Sequence, residues 1–405
     1  MEVTDVQYKE SEIGVIPVDW EVKPLGEVCK IFGRIGFRGY TTNDIVEKEQ
    51  GAITLSPSNI KDDRIDYSNC TYISWFKYEE SPEIKIFNGD ILLVKTGSTF
   101  GKTAIVKDLP EKATLNPQIV VLKRVRIDNI FLGYVMSYDV VQNQINKSIV
   151  GGAIPTLSQV QVSVFKIPLP PTKSEQTAIA TALSDTDALI ENLEKLIAKK
   201  RSIKQGMMQE LLTGSIRLDG FEKKWLNVSL GEISEITMGQ SPQSKYYNTK
   251  GLGLPLVQGN ADIEDRKTII RIHTTEITKI GEPGTTIMSV RAPVGEVAKT
   301  NFRCCLGRGV CAIKYKNDFL YHLLIYLEDS WGKYSTGSTF DSINSSQVKN
   351  LEIYIPSDFS EQVAIASIFN DIDEEIETLE QKLYKYKMIK EGMMQSLLTG
   401  KIRLV

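Results

Sequence analysis

Histidine and paired cysteine are what this sequence has least of. There are two histidines, His273 and His322, and five cysteines, Cys29, Cys70, Cys304, Cys305 and Cys311, an odd set without CxxC spacing. A zinc site needs about four such ligands converging, so no metal is expected, and the cluster Cys304, Cys305 and Cys311 reads as reduced residues buried in strands. An excess of one charge sign is also missing: 48 Lys and Arg against 51 Asp and Glu leave a net charge of −3. No global basic character advertises nucleic acid. If DNA is the ligand, the positive field must be local or come from a partner. No stretch approaches the roughly 18 uninterrupted apolar residues of a membrane span, and Met1-Glu2-Val3-Thr4-Asp5 has neither a basic start nor an apolar run. A cytoplasmic chain of at least two lobes, with no membrane partner, is expected from 405 residues.

Catalytic signatures are absent too. Gly97-Ser98-Thr99-Phe100-Gly101-Lys102-Thr103 comes nearest to a phosphate loop, but it has three residues between its glycines where four are required, and it reads better as a strand turn carrying a lysine. Adenine methyltransferases need an (N/D/S)PP(Y/F) loop, and the adjacent prolines Pro170-Pro171 lie in Leu-Pro-Pro-Thr. Neither GxSxG nor HExxH occurs. Abundant Asp and Glu leave carboxylate catalysis open, yet a binding protein without catalytic residues or a cofactor of its own is the default.

What is present is a repeat. Ser174 to Leu218 aligns without a gap on Ser360 to Leu404, a shift of 186 residues, with 26 of 45 positions identical, among them Gly206-Met207-Met208-Gln209 and Leu211-Leu212-Thr213-Gly214. The same shift reaches back through Pro170 and Pro356 to Gly151 and Gly337. Trp20 followed by Leu25-Gly26-Glu27 echoes Trp225 followed by Leu230-Gly231-Glu232. Between these shared parts the two lobes diverge, although both read as short strands separated by turns such as Asn88-Gly89-Asp90 and Pro283-Gly284. The scaffold is duplicated and the lobes are not. The chain therefore divides into a first lobe at 1–170, a helix at 171–214, a second lobe at 215–356, and a second helix with a tail at 357–405, an α+β fold with pseudo-twofold internal repetition.

Each repeated segment is a helix. Ser174 and Ser360 are the expected N-caps, with Glu175 and Glu361 suiting the positive end of the dipole and Gly214 and Gly400 closing the pattern. Apolar residues follow a coiled-coil spacing: Ile179, Leu183, Ile190, Leu193, Ile197, Met207 and Leu211 in the first, and Ile365, Phe369, Ile372, Ile376, Leu379, Leu383, Met393 and Leu397 in the second. Lys200, Lys204 and Lys390 interrupt the seam, so a pair packed partly on the lobes is expected. Acidic first halves and basic second halves meet only if the helices run antiparallel; each helix satisfying its own dipole is the competing explanation. Roughly 40 residues at about 1.5 Å each span about 60 Å.

These features resemble the specificity subunits of Type I restriction-modification systems over essentially the whole chain. The marks are the doubled proline-SEQ-helix-LLTG-IRL unit, the W(x)4LGE entry to each lobe, and Gly239-Gln240-Ser241-Pro242 leading to Ser244-Lys245-Tyr246-Tyr247-Asn248. The resemblance implies that the lobes are target recognition domains, each reading one half of a split double-stranded DNA site. It implies antiparallel helices that dock two modification (methyltransferase) subunits, to which two restriction (endonuclease/translocase) subunits can add. S-adenosylmethionine would then belong to the methyltransferase partner. A non-catalytic coiled-coil scaffold joining two interaction modules stays open beside it, and salt-sensitive duplex binding separates the two.

Phosphate contacts need Lys, Arg, hydroxyls or backbone amides, and base edges need forked or amide donors. In the first lobe Arg34, Arg38, Lys95, Thr96, Ser98 and Lys102 sit in or beside glycine-bearing turns. In the second, Gln240, Ser244, Lys245, Tyr246, Tyr247, Arg291 and Arg308 follow the same logic, with Gln258 and Asn260 as amide readers. Solvated surface charge is the plain alternative for each. Val290-Arg291-Ala292-Pro293 aligns by context with Val94-Lys95-Thr96, which equates Arg291 with Lys95. Gly151-Gly152 and Gly337-Ser338 read as turns at the lobe-helix junctions, with a backbone loop near phosphate as the alternative, and the second Gly-Ser-Thr-Phe, at 337–340, reads as coincidence.

Overall fold

The computed structural model describes residues 7–148, 155–333 and 342–404, so both glycine runs and the 337–340 motif lie outside the described residues. The chain forms two compact units, Met1–Asn192 with Leu383–Val405, and Leu193–Lys382. Each lobe thus goes with the start of the helix that follows it and the end of the other. The long helices cover Lys173–Leu211 and Phe359–Leu397. Their caps lie two residues earlier than expected. Thr172 Oγ1 accepts from Glu175 N at 3.2 Å, and Asp358 Oδ1 from Ser360 N at 3.0 Å, which places Ser174 and Ser360 inside the first turn. Gly214 and Gly400 close the far ends with φ of +73° and +70°, the left-handed region that glycine enters without penalty.

Within each unit the helices pack antiparallel. In the first, Lys390 Nζ meets Asp187 Oδ1 at 2.7 Å, and Arg403 meets Glu175 (Nη2 to Oε2, 2.8 Å). In the second, the same pairs recur 186 residues on with partners exchanged: Lys204 meets Asp373 at 2.7 Å and Arg217 meets Glu361 at 2.9 and 2.7 Å. Lys200 also bonds Glu375 at 2.7 Å, and Arg201 bonds Glu380. The lysines that interrupt the seam are therefore the groups that set its register. Ile179, Leu183, Ile190 and Leu397 are buried in the first unit, and Leu193, Ile197, Leu211, Ile365, Phe369 and Ile376 in the second. Ile372, Leu379, Leu383, Met207 and Met393 are half-buried. Burying one such side chain contributes about 1.5–3 kcal/mol.

Glu175 and Glu361 are almost fully buried, and a buried carboxylate is tolerable only when its lone pairs are taken up. The arginine of each IRL tail does this bidentately. Arg403 also grips Asp19 at 2.9 Å; that bond holds the Asp19 carboxyl below the usual range, and the bonds to Glu175 first and Asp19 second raise the pKa of Arg403. The tails are thus clamps as well as helix stops.

The lobes turn out to be duplicated after all. In the first, the strands Thr103–Ile105, Ile91–Val94, Ile119–Lys123 and Lys30–Gly33 form one sheet in that order, and Ala113–Leu115, Gly51–Leu55, Thr71–Ser74 and Ile45–Val46 another. In the second, Val297–Lys299, Thr286–Ser289, Val310–Lys314 and Glu235–Met238 follow the same order. Cys304–Leu306 lies parallel to Leu254–Val257 just as Ala113–Leu115 lies parallel to Gly51–Leu55. Ile91–Val94 is buried along its whole length, which is why it reads as an unbroken apolar run. A continuous run carries no alternation to align, so the shared topology is hidden behind different residues. Cys29, Cys304, Cys305 and Cys311 are buried free thiols, and burial pushes Cys29 and Cys311 up to about 12. Among the described residues no helix is long and apolar enough to cross a membrane.

Candidate nucleic-acid interface

One end of each lobe is closed by two turns that hydrogen-bond to each other. In the first lobe, Ile91–Val94 runs out through Lys95 and Thr96 and returns as Thr103–Ile105. Val94 N donates to Lys102 O and Gly101 N to Val94 O, each at 2.9 Å, with Gly97 and Gly101 at φ +107° and +85°. This is a hairpin turn that leaves Ser98 and Lys102 exposed and Lys95 and Thr96 half-buried. The second turn, 116–119, is bridged by Ile119 N to Asn116 O at 3.1 Å and tied to the first by Lys95 N to Gln118 O at 2.8 Å.

The second lobe repeats this wiring. Ser289 N donates to Glu296 O, Gly295 N to Ser289 O, Val290 N to Gly309 O, and Val310 N to Gly307 O. Leu157 N bonds Lys95 O, and Ile343 N bonds Val290 O; Thr96 bridges Thr156, and Arg291 bridges Ser342. These matches equate Lys95 with Val290 and Thr96 with Arg291. The contextual alignment of Arg291 with Lys95 is off by one residue. In a strand edge a one-residue shift turns a side chain to the other face, so the correction matters.

The nominated side chains fall into two groups. Arg34 departs from expectation: it is 4% exposed and spends its guanidinium inside the lobe, on Leu115 O (3.0 Å), Thr114 Oγ1 (3.2 Å) and Arg38 O (3.2 Å). Burial pulls its pKa down. Arg38 pairs with Glu83 at 3.4 Å, the Asn260 amide donates to Glu296, and the Tyr247 hydroxyl donates to Pro242 O at 3.0 Å. Gln258 is half-buried beneath the 307–309 turn. The exposed group comprises Ser98, Lys102, Gln240, Ser244, Lys245, Tyr246, Arg291 and Arg308. Lys245 Nζ lies 4.9 Å from the centre of the Tyr246 ring, and Ser241 Oγ accepts from Arg308 N at 3.1 Å.

Sequence reasoning missed Asn116 and Gln118. Asn116 Oδ1 accepts from Gln118 N at 2.8 Å, and Asn116 Nδ2 donates to the Tyr40 hydroxyl at 2.9 Å. The Asn116-Pro117 dipeptide is a turn signal that could have drawn attention to them.

The sequence matches the family described as Type I restriction modification DNA specificity domain over residues 17–200 and again over 222–385. It is 32% identical over 418 aligned residues, 98% of this chain and 96% of the relative, to the "Putative type I restriction enzyme MjaX specificity subunit" of Methanocaldococcus jannaschii. A solved chain from work on complex assembly and conformational transition of the type I R-M system is similar at 25% identity and a TM-score of 0.57, covering 96% of this chain and 99% of that one. The fold is also that of the Type-I restriction-modification system S subunit from M. genitalium, with a TM-score of 0.64 at 16% identity and 98% coverage of each chain. With the family matched in both halves of a repeated chain, this protein belongs to the DNA specificity subunits of Type I restriction-modification systems.

Proposed function

We propose that each lobe reads one half of a bipartite DNA site through its paired turns, and that the antiparallel helices set the gap and dock adenine methyltransferase subunits. The observation that carries this is the contrast inside the repeat: one strand topology and one turn wiring, presented twice with different exposed side chains. Two dissimilar readers on a duplicated frame suit an asymmetric, interrupted site. The chain contributes recognition and no catalytic group. One copy assembles with two modification subunits, which hold S-adenosylmethionine, and two restriction subunits can join them in the cytoplasm. With a net charge of −3, the partner subunits supply much of the phosphate neutralisation, so DNA affinity of the isolated chain should be weak and salt-sensitive.

Adenine methylation mapped across a plasmid tests this, after co-expression of the chain with its modification subunit and of the modification subunit alone. A split motif is expected only when the chain is present. An assembled, active complex that methylates without regard to sequence would leave a scaffold role instead.

A further inference from the structure

Of the thirteen arginines in the sequence, those engaged with carboxylates, carbonyls or rings include Arg34, Arg217, Arg266 and Arg403. Among the described residues only Arg291 and Arg308 have a guanidinium with no hydrogen bond, ion pair or ring partner, and Arg308 forms its single side-chain-independent link through its backbone N–H. Both stand on the paired turns of the second lobe. Arg308 is flanked by glycines that cannot be replaced: a Cβ on Gly307 would lie 2.9 Å from Gln258 Cα, and one on Gly309 would lie 2.2 Å from Gln258 O. The turn backbone is pressed onto Gln258, and Arg308 is the one side chain that it presents.

The matching turn of the first lobe presents an amide instead, one residue further on: the shared hydrogen bonds put Pro117 in the place of Arg308 and Gln118 in that of Gly309. Gln118 is exposed, its backbone is fixed on both sides by Lys95 N and Asn116 Oδ1, and its side chain makes no hydrogen bond among the described residues. A fixed backbone with an uncommitted fork or amide is what base reading requires, because the donors are aimed and unspent.

We propose that the turn joining the two sheets is the base-reading element of each lobe, with Arg308 pairing to a guanine in one half-site and Gln118 to an adenine in the other. This rests on the reading of the lobes as half-site binders. Arginine matches the guanine O6 and N7 acceptors with two donors, and glutamine matches the adenine N6 and N7 pair. Arg291, with the same charge on the neighbouring turn, holds backbone phosphate.

The test is methylation mapping with the full chain assembled on its modification subunit, comparing wild type with R308A, R308K, Q118A and R291A. R308A is expected to relax one guanine position of one half-site by about ten-fold or more, leaving the other half and the gap unchanged. R308K is expected to relax the same position, because an ammonium keeps the charge without the fork. Q118A is expected to relax an adenine in the opposite half, and R291A to weaken methylation evenly across sites. The proposal is overturned if R308K keeps the wild-type motif and rate, if R291A is the variant that relaxes the guanine, or if neither R308A nor Q118A alters the motif. A wild-type complex that methylates without any motif sinks the half-site reading itself, a result distinct from each of these.

Discussion

The two lobes solve one folding problem twice and spend the freedom that remains in different places. Their strand orders agree, their turns share hydrogen bonds position by position, and each is clamped by an arginine from an IRL tail onto a buried glutamate. Beyond that frame they part. Lys102, exposed in the first lobe, corresponds to Glu296 in the second, which is half-buried and takes the Asn260 amide. The hairpin tip Asp62-Asp63 borders a cavity of about 320 Å³ against Tyr134, Asp187 and Lys390, whereas the corresponding tip, Asp265-Arg266, sends Arg266 into a bidentate grip on Glu328. Both tips sit at positive φ, so the backbone turn is shared and only the side chains differ. What is repeated is the hydrogen-bonded frame and the helix register; what varies is the chemistry at turns, where substitutions do not disturb the sheets.

The clamps offer the largest test of that symmetry. Removing one partner of a buried ion pair strands the other and costs about 3–5 kcal/mol. Arg217→Ala would leave Glu361 buried and uncompensated, with only the Trp225 indole N–H, at 3.3 Å, still donating to it. Arg403→Ala would strand Glu175, and there the Trp20 indole, whose N–H has no partner among the described residues, gives no help. Both variants should therefore unfold at lower urea concentration, Arg403→Ala more so. Equal losses, or a larger loss for Arg217→Ala, would show that the tryptophans do not distinguish the two clamps.

Much of this was legible beforehand, and what was not had a physical cause. The helices and their antiparallel sense follow from spacing and charge order, because a coiled-coil interface repeats a simple rule, whereas the seam lysines read as interruptions and only the fold shows them pairing with Glu375, Asp373 and Asp187. The duplicated lobe fold was not legible, because strands such as Ile91–Val94 are buried on both faces and any apolar sequence satisfies them. Arg34 misled for a related reason: a glycine-flanked arginine looks exposed in sequence, and only the fold reveals Leu115 O and Thr114 within its reach. The Lys95–Arg291 equation failed by one residue because it matched Val94 with Val290 by identity, whereas the shared hydrogen bonds put Ser289 in the place of Val94.

Arg34 also provides the next test, by separating structural from recognition arginines. Arg34→Ala deletes three hydrogen bonds in the interior and should lower stability by about 2–3 kcal/mol, seen as faster hydrogen exchange in the strand Ala113–Leu115, while the methylated motif stays unchanged in any protein that folds. Arg308→Ala should do the reverse, altering the motif at unchanged stability. A motif change from Arg34→Ala would mean that the arginine acts through the turn it supports.

The smallest expected effect lies where the lobes meet the helices. Opposite Ser184 the first unit places Tyr134, whose hydroxyl bonds Asp187 at 2.7 Å; opposite the corresponding Asn370 the second places His322, bonded through Nε2 at 2.9 Å. Burial, with Lys204 and Lys299 nearby, pushes the His322 pKa down to about 4, against the opposing pulls of the Asn370 bond and Asp373. An unfolded histidine titrates near 6.5, so between pH 6.5 and 4 the unfolded chain takes up a proton that the folded one refuses. The contribution is whole above pH 6.5 and falls as pH drops, by about 2 kcal/mol between 6.5 and 5, where most carboxylates are still ionised. Protection factors in the helix Phe319–Tyr326, taken against the intrinsic exchange rate at each pH, should therefore fall over that interval, while those of the helix Asn129–Ser137, which carries Tyr134, should not. His322→Phe should flatten the first response, and a slope that survives the substitution would show that His322 is not its source.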